Sequence, residues 1–464
     1  MVKRWKTGQV KHRVKILFVS LGCDKNTVDT QRMMGALHLK QDYTLTEDEN
    51  EAQVIVVNTC AFIDAAKQES IDEILRLAEL KKTGSLQYLI VVGCLAQRYK
   101  DEILKEMPEV DAVVGTTAEN SLCDVLDSLV AGEKSEHAIL ADPDLLTGGS
   151  QDLALGSHVG FLKIAEGCNK CCTYCAIPLI RGKYRSTPME QIMEEAQHLV
   201  LQGANELILV AQETTVYGVD LYGKKMLPEL LRRLCLIQGV RWIRILYCYP
   251  EEITDELIEV MRTEEKVAPY LDLPIQHCSD AILKRMGRKA TGHEIEEMVE
   301  KLRDTIPGIC LRTTLITGFP GETQEDHEKL LDFVCKMRFD HLGVYTYSRE
   351  EDTPAASFPN QVHPSTKKHR QKELMLAQQK IAFEQNEELI GNVMDLVVDG
   401  RIADAWSDRD YVYVGRTYRD IPDVDSVVYV ESNRDLLSGT FVRVRITGSE
   451  DYDLTGEIVD ESSE

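Results

Sequence analysis

The sequence predicts an α/β chain in three parts: an N-terminal parallel-sheet α/β domain, a partial (β/α)6 barrel, and a small C-terminal all-β barrel. Three observations predict it. Short apolar runs alternate with helical patterns over residues 13–135. Six further strand–helix units follow over residues 158–350. Residues 391–464 then switch to short apolar–polar alternation, the pattern of a small β-barrel.

In the first part, "VKILFVSLGC", "QVIVVNTC" and "YLIVVGC" read as buried strands, and each closes on a cysteine: Cys23, Cys60 and Cys94. "NTVDTQRMMGALHLK" and "ESIDEILRLAELKK" carry the helical period between them. Strands that alternate with helices pair in parallel, and such sheets gather ligands at the carboxyl ends of their strands. The three thiols are therefore expected on one edge of one sheet. Taken alone, three buried strand-end cysteines would leave the same pattern.

Residues 136–157 read as a polar linker. The six strands that follow are "GFLKIAEG", "NELILVAQE", "VRWIRILYCYP", "PYLDLPIQHC", "CLRTTLITGFP" and "HLGVYTYS". Six units are too few for a closed eightfold barrel but fit a partial one, with its site at the carboxyl mouth. Residues 351–390 read as a linker and a long helix. The tail then carries "YVYVG", "SVVYVES" and "TFVRVRITG" as strands.

Bulk properties narrow the class. The chain has 464 residues, of which 43% are hydrophobic, so a large core is expected. No apolar run approaches the ~20 residues that span a bilayer. The basic start "MVKRWKTGQVKHRVK" lacks the apolar core of a signal peptide, so the expected location is cytoplasmic. In a reducing cytosol, the 13 cysteines are expected to be thiols or metal ligands rather than disulfides. A net charge of −24 argues against a general nucleic-acid surface.

The densest chemistry lies in "EGCNKCCTYCAIPLIRGKYR", which starts at Glu166. Cys168, Cys172 and Cys175 make C-x3-C-x2-C just after the first barrel strand. Three thiolates on one loop can hold three irons of a cubane cluster and leave the fourth open to a ligand. Zinc is the competing occupant, but the usual fourth ligand is missing nearby. Cys171 is surplus, and is expected to be a small buried side chain beside the site.

This loop, with Tyr174 before its last cysteine, resembles the radical S-adenosylmethionine (SAM) superfamily. Its order of domains resembles the methylthiotransferase family within it. The resemblance covers nearly the whole chain, through "SLGCDKNTVDT", "VVNTCAFI", "VVGCLAQRY", "TGFPGET" and "EEDTPAA". "LVAQETTVYGVDLYG", "LYCYPEEIT" and "YVGRTYRDIPDVDSVVYV" look like the branch that modifies an aspartate of ribosomal protein S12. They look less like the branch that modifies a tRNA adenosine.

The resemblance implies a radical-SAM barrel, a TRAM-like tail and two 4Fe-4S clusters, one on Cys168, Cys172 and Cys175, the other on Cys23, Cys60 and Cys94. It implies cleavage of S-adenosyl-L-methionine to a 5′-deoxyadenosyl radical, hydrogen abstraction, and methylthio transfer. The implied partners are ribosomal protein S12, an unidentified electron donor and a sulfur source. Methylthiolation of tRNA is the alternative within the family. A non-catalytic iron–sulfur electron carrier is the alternative outside it.

Candidate SAM contacts are polar groups at strand ends: Gln212 and Glu213, Gln276, Arg312 and Thr314, together with Tyr174 and Gly318 of "TGFPGET". Arg312 suits a carboxylate fork or a structural ion pair. Gly321 gives the same turn a second point of close approach. His277 is expected to be structural, and Tyr345 and Tyr347 to share one strand face as packing. Cys123, Cys235, Cys310 and Cys335 are expected in the core, while Cys248 and Cys278 lie nearer the mouth. Residues 391–464 hold 17 Asp and Glu, 7 Arg and no Lys, a net charge of −10 that suits a basic polypeptide better than RNA.

Overall fold

The computed structural model describes residues 13–40, 42–117, 121–132, 138–142, 144, 151–153, 157–403 and 411–459. The basic residues 1–12 and much of the expected linker 136–157 lie outside the described residues. Among the described residues, no helix is long and apolar enough to cross a membrane. The chain forms two compact units: residues Met1–Asp152 with Leu179–Gly182, and Leu153–Pro178 with Lys183–Glu464.

The first unit is built on six parallel strands: β1 (Val14–Ser20), β2 (Tyr43–Leu45), β3 (Val54–Thr59), β4 (Tyr88–Gly93), β5 (Ala112–Val114) and β6 (Ala138–Ile139). Their order is β2-β1-β3-β4-β5-β6. Every residue of β3 is buried, as a central strand covered on both faces requires. Helices Asp24–His38, Asp64–Ala78 and Cys94–Glu106 follow β1, β3 and β4. The three cysteine-tipped strands are therefore adjacent, and Cys23, Cys60 and Cys94 follow their carboxyl ends.

In the second unit, β7 (Val159–Lys163) is followed by a two-stranded ladder of β8 (Ala165–Glu166) and β9 (Arg185–Ser186). Strands β10 (Glu206–Val210), β11 (Trp242–Ile245), β12 (Val267–Gln276), β13 (Cys310–Thr317) and β14 (His341–Thr346) complete the sheet. The order β14-β13-β12-β11-β10-β7 is sequential and parallel, the arrangement of a partial (β/α)6 barrel. Leu207, Leu209, Ile243, Ile245, Leu271, Leu273, Leu311 and Leu315 point outward into one core with the surrounding helices.

Helix Pro364–Leu389 leads into a closed five-stranded barrel: β15 (Val393–Arg401), β16 (Tyr411–Thr417), β17 (Val428–Ser432), β18 (Phe441–Glu450) and β19 (Asp453–Ile458). This barrel packs against the amino ends of the parallel strands. Trp242 stands edge-on to Phe441 at 4.8 Å. Glu206, fully buried at the start of β10, meets Arg244 and Arg416, and Arg416 continues to Asp399 at 2.8 Å. His158 reaches Asp399 at 3.1 Å. The two arginines hold the Glu206 carboxyl at about 2, against the burial that pushes it the other way. Part of the tail's acidity is thus consumed within the fold.

Several expectations change. Tyr345 is 51% exposed whereas Tyr347 is buried, because β14 ends at Thr346 and breaks the alternation. Cys335 is exposed rather than in the core: the buried positions Leu330, Phe333, Val334 and Met337 turn it to the outer face of helix Gln324–Met337. Cys310 is buried, and its thiol donates to Arg419 O at 3.3 Å. Cys248 is fully buried in the barrel core, and Cys123, Cys235 and Cys278 pack against core clusters.

Candidate active site

Cys23 is the cap residue of helix Asp24–His38, in extended conformation. Gly22 before it has φ +94, and a Cβ there would come within 2.7 Å of the Cys60 Cβ. Only glycine lets the two cysteine-bearing segments approach this closely. Ser70 holds Cys60 in both directions, accepting from its N–H at 3.1 Å and donating to its carbonyl at 3.0 Å. Gly93 turns β4 into the helix that starts at Cys94. Its φ is +90, and a Cβ would clash with Asn58 Oδ1 at 2.2 Å.

Two buried asparagines brace these strand ends. Asn26 Nδ2 donates to Leu21 O (2.7 Å) and Thr59 O (3.0 Å). Asn58 Nδ2 donates to Asn26 O (2.9 Å) and Thr30 Oγ1 (3.0 Å). Burial pushes the Cys94 thiol up to about 12; Arg181 opposes this, while Cys23 and Cys60 add to it. All three cysteines are free thiols.

The second triad lies on the loop after β8. Thr173 anchors that loop: its N–H donates to Met286 O (2.9 Å), its hydroxyl to Arg285 O (2.8 Å), and its carbonyl accepts from Ala355 N (2.9 Å). Backbone N–H groups point at two sulfurs, Lys170 N to Cys168 Sγ (3.4 Å) and Ile177 N to Cys175 Sγ (3.5 Å). Burial pushes Cys168 up to about 11 and Cys175 higher still, with the other loop cysteines adding to both. Cys171, expected to be buried, is exposed: its φ of +53 marks a left-handed turn that leaves the thiol in solvent.

Around the loop lie groups from the carboxyl ends of β10, β11, β12 and β13. Cys172 Sγ is 3.8 Å from the Tyr249 hydroxyl. Lys170 meets Glu252 at 2.5 Å and Glu213 at 3.6 Å, and sits 4.7 Å above the Tyr249 ring. Arg288 stacks on the same ring at 4.1 Å. Tyr174 meets Phe319 edge-on at 6.4 Å, in a small apolar cluster with Ile316 and Tyr347. Gly318 heads the next turn, its N–H donating to Glu322 at 2.5 Å, with Lys367 packed against it.

Buried polar atoms near this loop are left without a hydrogen-bond partner: Gln212 Oε1, Glu213 Oε2, and Arg288 Nε and Nη1. Buried polar groups are satisfied as a rule, so this set fits a polar ligand. Burial pushes Glu213 up to about 7, opposed by Thr215 and Lys170. Gln212 Nε2 donates to Glu166 at 2.7 Å. Gln276 ends β12, its amide turned back to Pro274 O at 3.4 Å. Thr314 is half-buried, on the same face of β13 as Arg312.

Arg312 does not serve as a free carboxylate fork. It pairs with Asp272 at 3.0 Å and with Asp425 of the tail at 3.4 Å, toward the amino end of β13. Arg288 instead keeps Nε and Nη1 without a hydrogen-bond partner, while its Nη2 donates to Pro274 O at 3.0 Å; sequence reasoning missed it because it lies in a loop outside the strand pattern. His277 Nδ1 accepts from Cys278 N (3.0 Å) and Ser279 N (2.9 Å), its Nε2 is buried without a hydrogen-bond partner, and burial lowers the ring to about 4.

Among the described residues, no three His, Cys, Asp or Glu side chains close on one metal ion. A cubane spreads three thiolates over three irons, so its sulfurs stand farther apart than the ligands of a single ion. Free sulfurs that are buried or half-buried, two of them with backbone donors aimed at them, suit such a cluster.

Comparison with known proteins places the chain among known families. Residues 15–115 match the uncharacterized protein family UPF0004, residues 162–334 the Radical SAM superfamily, and residues 390–459 the TRAM domain. A solved radical S-adenosylmethionine methyltransferase, TsrM from Kitasatospora setae, shares the fold at a TM-score of 0.56 and 13% identity, over 74% of each chain. The chain is 55% identical to the ribosomal protein uS12 methylthiotransferase RimO of Lachnoclostridium phytofermentans, over 96% of this chain and 99% of that protein. It is 48% identical to the RimO of Acetivibrio thermocellus (97% and 99%) and 47% identical to that of Clostridioides difficile (96% and 99%). By identity and coverage, the chain belongs to the RimO family of ribosomal protein uS12 methylthiotransferases.

Proposed function

We propose that this chain inserts a methylthio group at the β-carbon of an aspartate of ribosomal protein uS12, in the cytoplasm. Cys168, Cys172 and Cys175 hold one 4Fe-4S cluster, and Cys23, Cys60 and Cys94 hold the second. When bound, the two clusters and S-adenosyl-L-methionine supply the reductive cleavage, the transferable sulfur and its methyl group. The observation that carries the reading is the presence, in one RimO-family chain, of two separate sets of three free thiols, one at the carboxyl ends of three adjacent parallel strands and the other on a single loop.

The chain's own residues bind and orient. Arg288, with two unpartnered nitrogens, takes the methionine carboxylate as a charged fork. Glu213 and Gln212 offer acceptors for the methionine ammonium or ribose hydroxyls. Tyr174, Gln276, Thr314 and Gly318 complete the proposed contacts, while Arg312 is left to its ion pairs. The acidic tail favours a basic protein substrate over tRNA.

Anaerobic reconstitution tests the ligand sets. The intact chain should carry about eight irons and release 5′-deoxyadenosine after reduction, and the Cys168, Cys172 and Cys175→Ala variant should keep about half the iron and release none. Full iron in that variant would overturn the assignment.

A further inference from the structure

The cysteine triad of the first unit has a buried charged neighbour that the reading above leaves unused. Arg181 is 1% exposed. Its Nη1 lies 3.0 Å from Asp29 Oδ2, and its Nη2 lies 2.6 Å from Asn26 Oδ1 and 3.5 Å from Cys94 Sγ. Asn26 is itself locked by the Leu21 and Thr59 carbonyls. The guanidinium is thus clamped, with one N–H within reach of sulfur.

Hydrogen bonds to cysteine sulfur, local net charge and burial set the potential of an iron–sulfur centre. A charged donor draws electron density from the thiolate and favours the reduced form. A buried carboxylate nearby works in the opposite direction. We propose that Arg181 is a positioning residue that holds the Cys94 thiolate by a charged hydrogen bond and raises the reduction potential of the cluster on Cys23, Cys60 and Cys94, with Asp29 as the opposing charge. This rests on the reading that those cysteines hold a cluster. Lysine would keep the charge but not the fork that reaches Asp29, Asn26 and sulfur together.

The test uses the full chain with Cys168, Cys172 and Cys175→Ala, so that one cluster reports. Iron content and the midpoint potential, read by electron paramagnetic resonance during redox titration, are compared for this parent and for added Arg181→Met, Arg181→Lys and Asp29→Asn. Arg181→Met should lower the potential, Asp29→Asn should raise it, and Arg181→Lys should fall between the parent and Arg181→Met. Loosening of the fold alone would not move the two substitutions in opposite directions. If Arg181→Met loses its iron, the Arg181→Lys and Asp29→Asn variants must still shift oppositely. Equal potentials, or shifts of one sign, would overturn the inference alone. A parent without iron would overturn the cluster reading and the inference with it.

Discussion

Replacing Arg288 with methionine should cost cofactor affinity, whereas replacing Arg312 should cost stability. Arg288 is buried on the Tyr249 ring with Nε and Nη1 unpartnered. Each hydrogen bond it gives to a charged group is worth about 1.5–3 kcal/mol. Losing one such bond weakens S-adenosylmethionine binding roughly 10–100-fold. Arg312 already spends its donors on Asp272 and Asp425, both nearly fully buried. Its removal strands those carboxylates and should cost about 3–5 kcal/mol of stability. Anaerobic calorimetric titration of the reconstituted protein reads the affinity, iron per chain controls for cluster loss, and urea unfolding reads the stability. Arg288→Met should keep its iron and bind weakly, and Arg312→Met should bind normally but unfold earlier. The reverse pattern, or normal binding by Arg288→Met, would refute the assignment.

Glu213 is raised to about 7, so its burial costs stability increasingly from pH 4.5 to 7 and fully above that, at most about 3 kcal/mol. Glu213→Gln should therefore raise the melting temperature of the apoprotein more at pH 8 than at pH 5; an equal gain at both would contradict the pKa. Cys171→Ala should leave iron content unchanged, because the thiol is exposed and Cys172 supplies the ligand, whereas Cys172→Ala should lose about half. Deleting the tail is a poor test of substrate docking, since it would take Arg416 from the buried Glu206, the Thr417 and Tyr418 carbonyls from Arg244, and Asp425 from Arg312. Reversing the exposed Glu431, Glu450 and Asp451 to Lys should instead weaken uS12 binding and flatten its salt dependence while sparing the fold; unchanged binding would remove the tail from substrate recognition.

The strand–helix alternation was legible because each parallel strand is an apolar run that ends on a chemically marked residue. All six barrel strands and the three cysteine-tipped strands lie where their patterns predict. Strands β2, β5 and β6 were not legible: two or three residues of "YTL", "AVV" and "AI" carry no period. The cysteine spacing exposed both triads, but not their surroundings. Asn26, Asn58 and Arg181 meet across long sequence separations, and nothing local marks the contact. In sequence Arg312 suited a ligand fork and a structural ion pair alike, because its partner Asp425 comes from the tail barrel, far along the chain. Arg288 sits in a loop without a motif, and its unpaired nitrogens became visible only in three dimensions.

Mass spectrometry of uS12 and of total tRNA nucleosides tests the central claim most directly. The samples would come from a deletion strain, from the same strain complemented with this chain, and from one complemented with the Cys168, Cys172 and Cys175→Ala variant. The account predicts that one aspartate of uS12 gains a methylthio group only with the intact chain, while tRNA nucleosides stay the same in all three. Unmodified uS12 beside a methylthiolated adenosine that depends on the chain would contradict it.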